Sequence, residues 1–137
     1  MFILRHDARP DAATIAALYR ATPLYRPVDD VPRIAAMYAG SNVVVTAWQG
    51  ERLVGILRGW TDGAYDGYVC DLAVLPDAQG QGVGRALLDD VHARWPDVQW
   101  LLRASKVARE YYGHLGWLPI DNGWLLPRPP WAGMPVP

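Results

Sequence analysis

Residues 68–90 read Tyr68-Val-Cys-Asp-Leu-Ala-Val-Leu-Pro-Asp-Ala-Gln-Gly-Gln-Gly-Val-Gly-Arg-Ala-Leu-Leu-Asp-Asp90, and the fold is best worked out from this stretch. Its first part is an apolar run with the composition of a buried strand. Gly80, Gly82 and Gly84 then form a turn that leads into an amphipathic helix. This order presents backbone N–H groups to a phosphate, although the glycines would equally suit a tight connection without a ligand.

Length and composition predict a single folded domain over residues 1–137. The chain is 51% hydrophobic and 20% charged, with a formal net charge of -1. This balance gives no long-range attraction to nucleic acid or to an anionic membrane, so neither is an expected partner. A single cysteine excludes an internal disulfide and a zinc site built on thiolates, and no metal is expected. We find no signal peptide or membrane-length apolar run, which makes a cytoplasmic location the expectation.

Apolar periodicity and turn residues predict an α+β fold. Helices are predicted in 11–20, 31–39, 85–95 and 106–115. Strands are predicted in 2–5, 42–48, 52–60, 68–75 and 98–103, with two further short strands in 117–126. The strands from residue 42 onward should pair as antiparallel neighbours, and the strand at 98–103 should join them in parallel through a right-handed crossover. The proline-rich tail at 127–137 should be extended, with Trp131 packed against the domain or a second subunit.

The glycine turn fits neither of the common nucleotide-binding motifs. A dinucleotide-binding fingerprint needs Gly-x-Gly-x-x-Gly, whereas this chain has Gly-x-Gly-x-Gly after an antiparallel hairpin. A P-loop needs Lys followed by Ser or Thr, and here Arg85 and Ala86 follow the last glycine. Neither nucleotide motif therefore fits, and a tight strand-to-helix connection without a ligand stays open at this point.

Two motifs resemble the signatures of the GNAT superfamily of acyl-CoA N-acyltransferases. Gln79-Gly-Gln-Gly-Val-Gly84 fits the family's pyrophosphate pattern, and it follows a strand that ends Leu72-Ala-Val-Leu-Pro76. Ala108-Arg-Glu-Tyr-Tyr-Gly-His-Leu-Gly-Trp117 is similar to the family's second element, an Ala followed by an aromatic pair and a Leu-Gly-aromatic end. The resemblance implies the GNAT fold, with about six or seven strands and about four helices, splayed between its two central strands.

The resemblance also implies acetyl-CoA as cosubstrate and assigns the residues that hold it. The strand before the turn is expected to pair with the pantetheine arm, the turn to hold the pyrophosphate, and Ser105 to bond the pantetheine where relatives often have Asn. The implied cofactor-binding residues are Leu72, Ala73, Val74, Gln79, Gly80, Gln81, Gly82, Val83, Gly84, Arg85, Ser105 and Ala108.

Tyr112 and Asp71 are the candidate catalytic residues. Tyr112 matches the family position that protonates the departing thiolate, and its alternative role is a cofactor contact without proton transfer. Tyr111 is expected to pack. Asp71 matches a position where many relatives have a carboxylate, which makes it the candidate base, directly or through water. Its alternatives are a role in acceptor binding or an ion pair with a nearby Arg.

The acceptor is the least determined part of the interpretation. Family acceptor pockets form from the first two helices, their loop and the strand preceding residue 68, and the candidate residues there are Tyr25, Trp60, Asp62, Tyr65 and Tyr68. Aromatics beside carboxylates favour a small aryl or alkyl amine. The alternatives are a protein lysine or N-terminal amine, or a nonenzymatic acyl-CoA-binding module. A homodimer is a candidate assembly, since dimers are common in the family.

Overall fold

The computed structural model describes residues 1–131 and shows a five-stranded mixed sheet with helices on both faces, which confirms the α+β class. The strands, in spatial as well as chain order, are β1 (Ile3–Arg5), β2 (Val43–Gln49), β3 (Arg52–Thr61), β4 (Asp66–Val74) and β5 (Gln99–Leu102). The helices are α1 (Ala12–Arg20), α2 (Val31–Ala39), α3 (Val83–Arg94) and α4 (Arg109–His114), and a 3-10 turn spans Pro76–Ala78.

The first two helices begin where their capping residues predict. The Asp11 carboxylate accepts a hydrogen bond of 2.8 Å from the Thr14 N–H, and the Asp30 carboxylate accepts one of 3.2 Å from the Arg33 N–H. Each bond satisfies one of the N–H groups that a helix start leaves without an intrahelical partner. The loop between these helices is therefore fixed at its far end by the Asp30 cap.

β4 and β5 pair over only part of their length. β1 to β4 are antiparallel neighbours, and β5 joins β4 in parallel after the α3 crossover, as predicted. The parallel pairing runs from Asp66 opposite Gln99 to Val69 opposite Leu102 and stops there. Residues 70–74 of β4 consequently have a strand partner on the β3 side alone. This gap is the splay between the two central strands that the sequence resemblance implied.

A β-bulge at Cys70 decides which way the end of β4 faces. Val69 is paired with Gly59 and Asp71 with Arg58, so Cys70 is an extra residue in the ladder. One extra residue inverts the alternation of side chains along a strand. Val69 accordingly packs in the core beneath α3, whereas Asp71 faces the side covered by α1 and α2.

Two elements near the C-terminus differ from the predictions. α4 starts at Arg109, because residues 106–108 form a turn, and not at Lys106. The two short strands predicted in 117–126 are not formed, so the sheet of the described residues has five strands instead of six or seven. Pro119 lacks an N–H for a ladder, and Leu118 and Trp124 are 86% and 99% exposed. Within this segment, Trp117 packs against the core and residues 118–126 are exposed. Residues 127–131 are also outside helices and strands, and the rest of the predicted tail lies outside the described residues.

Candidate active site

The splayed edge of β4 leads directly into the glycine turn. Beyond the unpaired edge at residues 70–74, the Leu75 N–H donates to the Val54 carbonyl at 2.8 Å, and the 3-10 turn then brings the chain round to α3. An extended ligand can add to an unpaired strand edge by backbone hydrogen bonds. The edge and the turn follow each other directly, so one extended ligand with an amide-containing arm and a phosphate can contact both.

Two glycines give the turn its shape. Gly80 and Gly82 have φ values of +80° and +81°, and a Cβ on either would have no heavy atom within 4 Å. These are left-handed conformations in open space, so glycine is required by the backbone and not by crowding. Gly82 is the N-cap of α3, and the N–H groups of residues 80–84 form no hydrogen bonds within the described part of the chain. Free N–H groups at a helix start are a suitable site for a pyrophosphate.

The side chains around the turn hold it in place. The Gln79 amide donates to the Val74 carbonyl at 3.3 Å, and the Gln81 side-chain oxygen accepts from Gln49 at 3.0 Å. Arg85 is exposed and lies 3.6 Å from Asp89, one helical turn away. The Val83 side chain is buried in the core, so only its backbone N–H can contact a ligand. The predicted cofactor residues of the turn therefore divide into backbone donors and supporting side chains.

Ser105 and Ala108 lie together just before α4. The Ser105 hydroxyl accepts a hydrogen bond of 3.2 Å from the Ala108 N–H, and both residues precede the first turn of that helix. Ser105 is exposed. Its hydroxyl keeps its own proton for a further acceptor while it serves this local bond.

The two adjacent tyrosines of α4 have different surroundings. Tyr112 is half-buried against the core and contacts Tyr111 and Trp117 edge-on, at centroid distances of 5.3 and 6.1 Å. Burial, followed by the neighbouring Tyr111, raises the pKa of Tyr112, so its phenol is protonated at neutral pH. The Tyr111 hydroxyl instead lies against α3, where a Cβ on Gly84 would be 2.9 Å from it. Tyr112 thus has the protonation state required of a general acid.

Asp71 lies at the centre of a buried ion-pair cluster. Its side chain is 0% exposed and accepts from Nε of Arg26 at 2.5 Å and from Nε of Arg58 at 2.6 Å. The Tyr19 hydroxyl donates to it at 2.8 Å and is also hydrogen-bonded to the Tyr38 hydroxyl. Both carboxylate oxygens are therefore occupied by donors. Of the interpretations open at the sequence level, these contacts favour the ion pair with Arg.

Contacts within the cluster shift the pKa values of Asp71 and Tyr19. Burial alone would raise the pKa of Asp71, but the charge of Arg26 and the hydrogen bond from Arg58 outweigh it, and the pKa is lowered. Burial, reinforced by the negative charge of Asp71, raises the pKa of Tyr19 far above its usual range. Asp71 is thus ionised and the tyrosine neutral at physiological pH, which makes Asp71 a poor proton acceptor.

Arg26 fastens the loop between α1 and α2 to the point where the sheet opens. Its Nη2 donates to the Cys70 carbonyl at 3.0 Å, in addition to the Nε contact with Asp71. Cys70 is the bulged residue next to the last parallel pair. The guanidinium therefore provides a hydrogen-bond partner where the neighbouring strand no longer can.

The predicted acceptor residues are only partly brought together. Trp60 and Tyr68 are paired across β3 and β4, whereas Tyr65 lies in the loop that joins these strands and Tyr25 in the loop between α1 and α2. Tyr25, Tyr65 and Trp60 are well exposed. One carboxylate oxygen of Asp62 accepts from the N–H groups of residues 64, 65 and 66, so Asp62 shapes its own loop.

With this geometry established, comparison with known proteins assigns the family. The family profile described as "Acetyltransferase (GNAT) domain" matches residues 13–123. The chain belongs to the GNAT acetyltransferase family. The match spans both motifs and the Asp71 cluster, so the splayed sheet and the glycine turn are those of a GNAT domain.

Individual relatives agree with the GNAT assignment. The chain is 27% identical to the mycothiol acetyltransferase of Catenulispora acidiphila over 93% of its own length and 47% of that protein. It is 30% identical to an uncharacterized N-acetyltransferase of Gracilaria tenuistipitata over 52% of its length and 41% of that protein, so it spans about half or less of each curated relative. The GNAT acetyltransferase structure from Streptococcus pneumoniae superimposes with a TM-score of 0.75 at 21% identity, over 93% of this chain and 100% of that one.

Sequence reasoning missed three members of the cluster. Tyr19 and Tyr38 lie in the helices predicted at 11–20 and 31–39 and Arg58 in the strand predicted at 52–60, and the sequence assigns none of the three to the site. A usable signal was present: Asp71 is a carboxylate in an otherwise apolar strand, and such a group requires cationic or hydrogen-bonding partners. Arg58, in the preceding strand of the same hairpin, was the obvious candidate.

Residues 1–131 lack two kinds of feature that would point to other functions. No helix there is long and apolar enough to cross a membrane. No group of three or more His, Cys, Asp or Glu side chains in that range is arranged to hold a metal ion.

Proposed function

We propose that this GNAT domain transfers acetyl from acetyl-CoA to the primary amine of a small molecule, by direct attack in a ternary complex. The observation that carries the proposal is the unpaired edge of β4 at residues 70–74, which runs into a helix start with free N–H groups. This arrangement suits a ligand with amide groups in an extended arm and a pyrophosphate at its end. CoA has this chemistry.

In the proposed complex, the pantetheine arm pairs with the backbone of Leu72, Ala73 and Val74 and its pyrophosphate meets the N–H groups of the turn. The thioester then lies beside the unpaired edge of β4, between the bulge at Cys70 and Ala73. The amine approaches from the side covered by α1 and α2. A backbone N–H near Ala73 or Val74 stabilises the oxyanion that forms when the amine nitrogen attacks the thioester carbonyl.

Tyr112 is proposed as the acid of the second half of the reaction. As the tetrahedral intermediate collapses, the C–S bond breaks and the thiolate takes the phenolic proton of Tyr112. Its raised pKa keeps the phenol protonated at neutral pH, so a proton is available to the thiolate as it leaves. Tyr111 is not proposed for this role because its hydroxyl is directed toward α3.

Asp71 is proposed to position Arg26 and Arg58 instead of removing a proton from the amine. Its pKa is lowered and its oxygens are occupied, so it has little affinity for a proton. The amine would then lose its proton to water before or during attack. This assignment replaces the role of base that the sequence suggested for Asp71.

The proposed function is tested by incubating the full chain with acetyl-CoA and a panel of aryl amines, alkyl amines, amino acids and lysine peptides while following free thiol. We expect thiol release that depends on the amine, with an equal amount of N-acetylated product by mass spectrometry. CoA binding without turnover on any amine would favour a nonenzymatic acyl-CoA-binding module. Turnover on peptides alone would favour a protein acetyltransferase.

Replacing the proposed acid should lower turnover more than cofactor affinity. Tyr112→Phe removes the phenolic proton but keeps the ring against the core, and we expect kcat to fall about 100-fold with the Kd for CoA little changed. Tyr111→Phe is the matched control, since it removes the neighbouring hydroxyl from the same helix. Equal turnover of Tyr112→Phe and Tyr111→Phe across the pH range would remove Tyr112 from the mechanism.

A further inference from the structure

We propose that the acceptor is a small amine that carries a carboxylate beside its amino group, and that Arg26 and Arg103 bind this carboxylate. The inference rests on the proposed function and specifies its substrate class. It differs from the aryl or alkyl amine that the sequence suggested. The side chains where the amine would enter carry a net positive charge.

The buried cluster has an excess of positive charge. Asp71 carries one negative charge, and two guanidinium groups contact it, at 2.5 and 2.6 Å. Tyr19 and Tyr38 are neutral because burial raises the pKa of each phenol. One positive charge in the cluster is thus uncompensated within the described residues. Such a charge is stabilised when an anion binds beside it.

Arg26 retains donors for a ligand. A guanidinium has five N–H donors, and three groups of the protein accept from Arg26: Asp71, the Cys70 carbonyl and the Tyr25 carbonyl. Its side chain is 25% exposed, whereas that of Arg58 is 15% exposed. The remaining N–H groups of Arg26 are therefore the members of this cluster best able to reach a bound molecule, and a guanidinium binds a carboxylate in bidentate fashion.

Arg103 brings a second positive charge to the same opening. Leu102 is the last residue of β5 and pairs with Val69, so Arg103 follows at the point where the two strands separate, next to Cys70. Arg103 is exposed and forms no ion pair with any residue in 1–131. Arg26 contacts the Cys70 carbonyl at 3.0 Å, so both arginines are at this point of the sheet. Burial raises the pKa of Tyr68, and the positive charges of Arg103 and Arg26 oppose that increase.

The other carboxylates of this region are engaged elsewhere or too far away to neutralise these charges: Asp29 pairs with Arg20 at 3.0 Å and Asp30 with Arg33 at 3.3 Å. Asp66 is at the opposite end of β4, and Asp62 is engaged by the N–H groups of its own loop. At about 3.3 Å per residue, Asp66 is roughly 15 Å along the strand from Asp71. An amine without an anionic group would meet net positive charge here, whereas an amino acid would offer its carboxylate to the guanidinium groups and its amine to the thioester.

The test compares α-amino acids with their carboxamides on the full chain at saturating acetyl-CoA. Removing the negative charge should lower kcat/KM about tenfold for the best amino acid. The amino group of an amino acid amide is less basic than that of the amino acid, so a larger fraction of it is unprotonated at a given pH. Amine protonation would therefore favour the amide, and it cannot explain a preference for the acid. Equal or better turnover of the amides would overturn the proposal.

Arg103→Gln should reduce the preference for the acid to about twofold or less, because it removes one of the two charges. Arg94→Gln is the matched control: it removes the same charge from the last turn of α3, away from the opening, and should leave the preference unchanged. An undiminished preference in Arg103→Gln would overturn the role of Arg103.

A binding measurement separates this proposal from the proposed function. N-acetyl amino acids and their amides are titrated into the CoA-saturated protein by calorimetry, which needs no turnover. Tighter binding of the acids supports the charge assignment even if no amine is acetylated, in which case the proposed function alone fails. Equal binding of acid and amide, or no binding of either, overturns the charge assignment.

Discussion

Asp71→Asn should lower the free energy of unfolding by about 3 kcal/mol, because it leaves two guanidinium groups without their anion. The new amide has nearly the same shape, but its NH₂ group would face a guanidinium N–H group, donor against donor. Arg26 and Arg58 retain 25% and 15% side-chain exposure, so water relieves part of the cost, and the lower end of the usual range for a broken buried pair applies. Urea denaturation followed by tryptophan fluorescence measures the change.

Asp89→Asn is the matched control for this substitution. Asp89 has a 71% exposed side chain that lies 3.6 Å from Arg85, so the same chemical change should alter stability by about 0.5 kcal/mol or less. A loss below about 1 kcal/mol in Asp71→Asn would show that water readily solvates the released guanidinium groups. The cluster would then contribute little to folding.

The same cluster should contribute to the acid sensitivity of the protein. The folded-state pKa of Asp71 is lowered, so the carboxylate stabilises the fold fully above its ordinary pKa, and this contribution is lost as the pH falls through the lower folded value. The stability of the Asp71→Asn variant should therefore decline less steeply between about pH 4 and pH 2 than that of the native chain. If the stabilities of the variant and the native chain decline equally as the pH falls, Asp71 does not contribute to the acid sensitivity of the protein.

Gly82→Asp should weaken CoA binding about 100-fold. Gly82 caps α3 with a φ of +81°, and its missing side chain leaves open space beside the free N–H groups of the turn. A carboxylate at this point would repel the pyrophosphate proposed to bind there and occupy part of its volume. Calorimetry with CoA measures the affinity, and a denaturation curve establishes that the variant is folded.

Gly82→Asn separates charge from backbone strain in this experiment. Asn and Asp have the same size, and both tolerate the left-handed conformation better than most residues. We expect Asn to weaken CoA binding clearly less than Asp does. If Asp and Asn have the same effect, the anion is not bound at this turn; unchanged affinity in both variants would remove the turn from the cofactor site.

The sequence predicted the fold well where local signals were strong. The starts of the first two helices, the strand pair 42–48 and 52–60 and the glycine turn each depend on a few neighbouring residues. All appear at or within a few residues of the predicted positions. The segment 117–126 was more difficult because its apolar residues lack a clear period. A strand in this segment would need a neighbouring strand to pair with, and only the tertiary structure decides whether one is available.

In the candidate site, too, some features follow from neighbouring residues in the sequence and others only from tertiary packing. Local sequence determined the apolar strand, the glycine turn with φ-positive residues and the tyrosine pair of α4, since each follows from residue types at short spacing. Only the tertiary structure decided what surrounds Asp71. The bulge at Cys70 reverses the face of the sheet on which the Asp71 side chain lies. Helix α1, the loop after it and strand β3 then bring Tyr19, Arg26 and Arg58 to the Asp71 carboxylate. Those contacts join residues 13 to 52 positions apart, and such distances in sequence are closed by packing and not by local propensity.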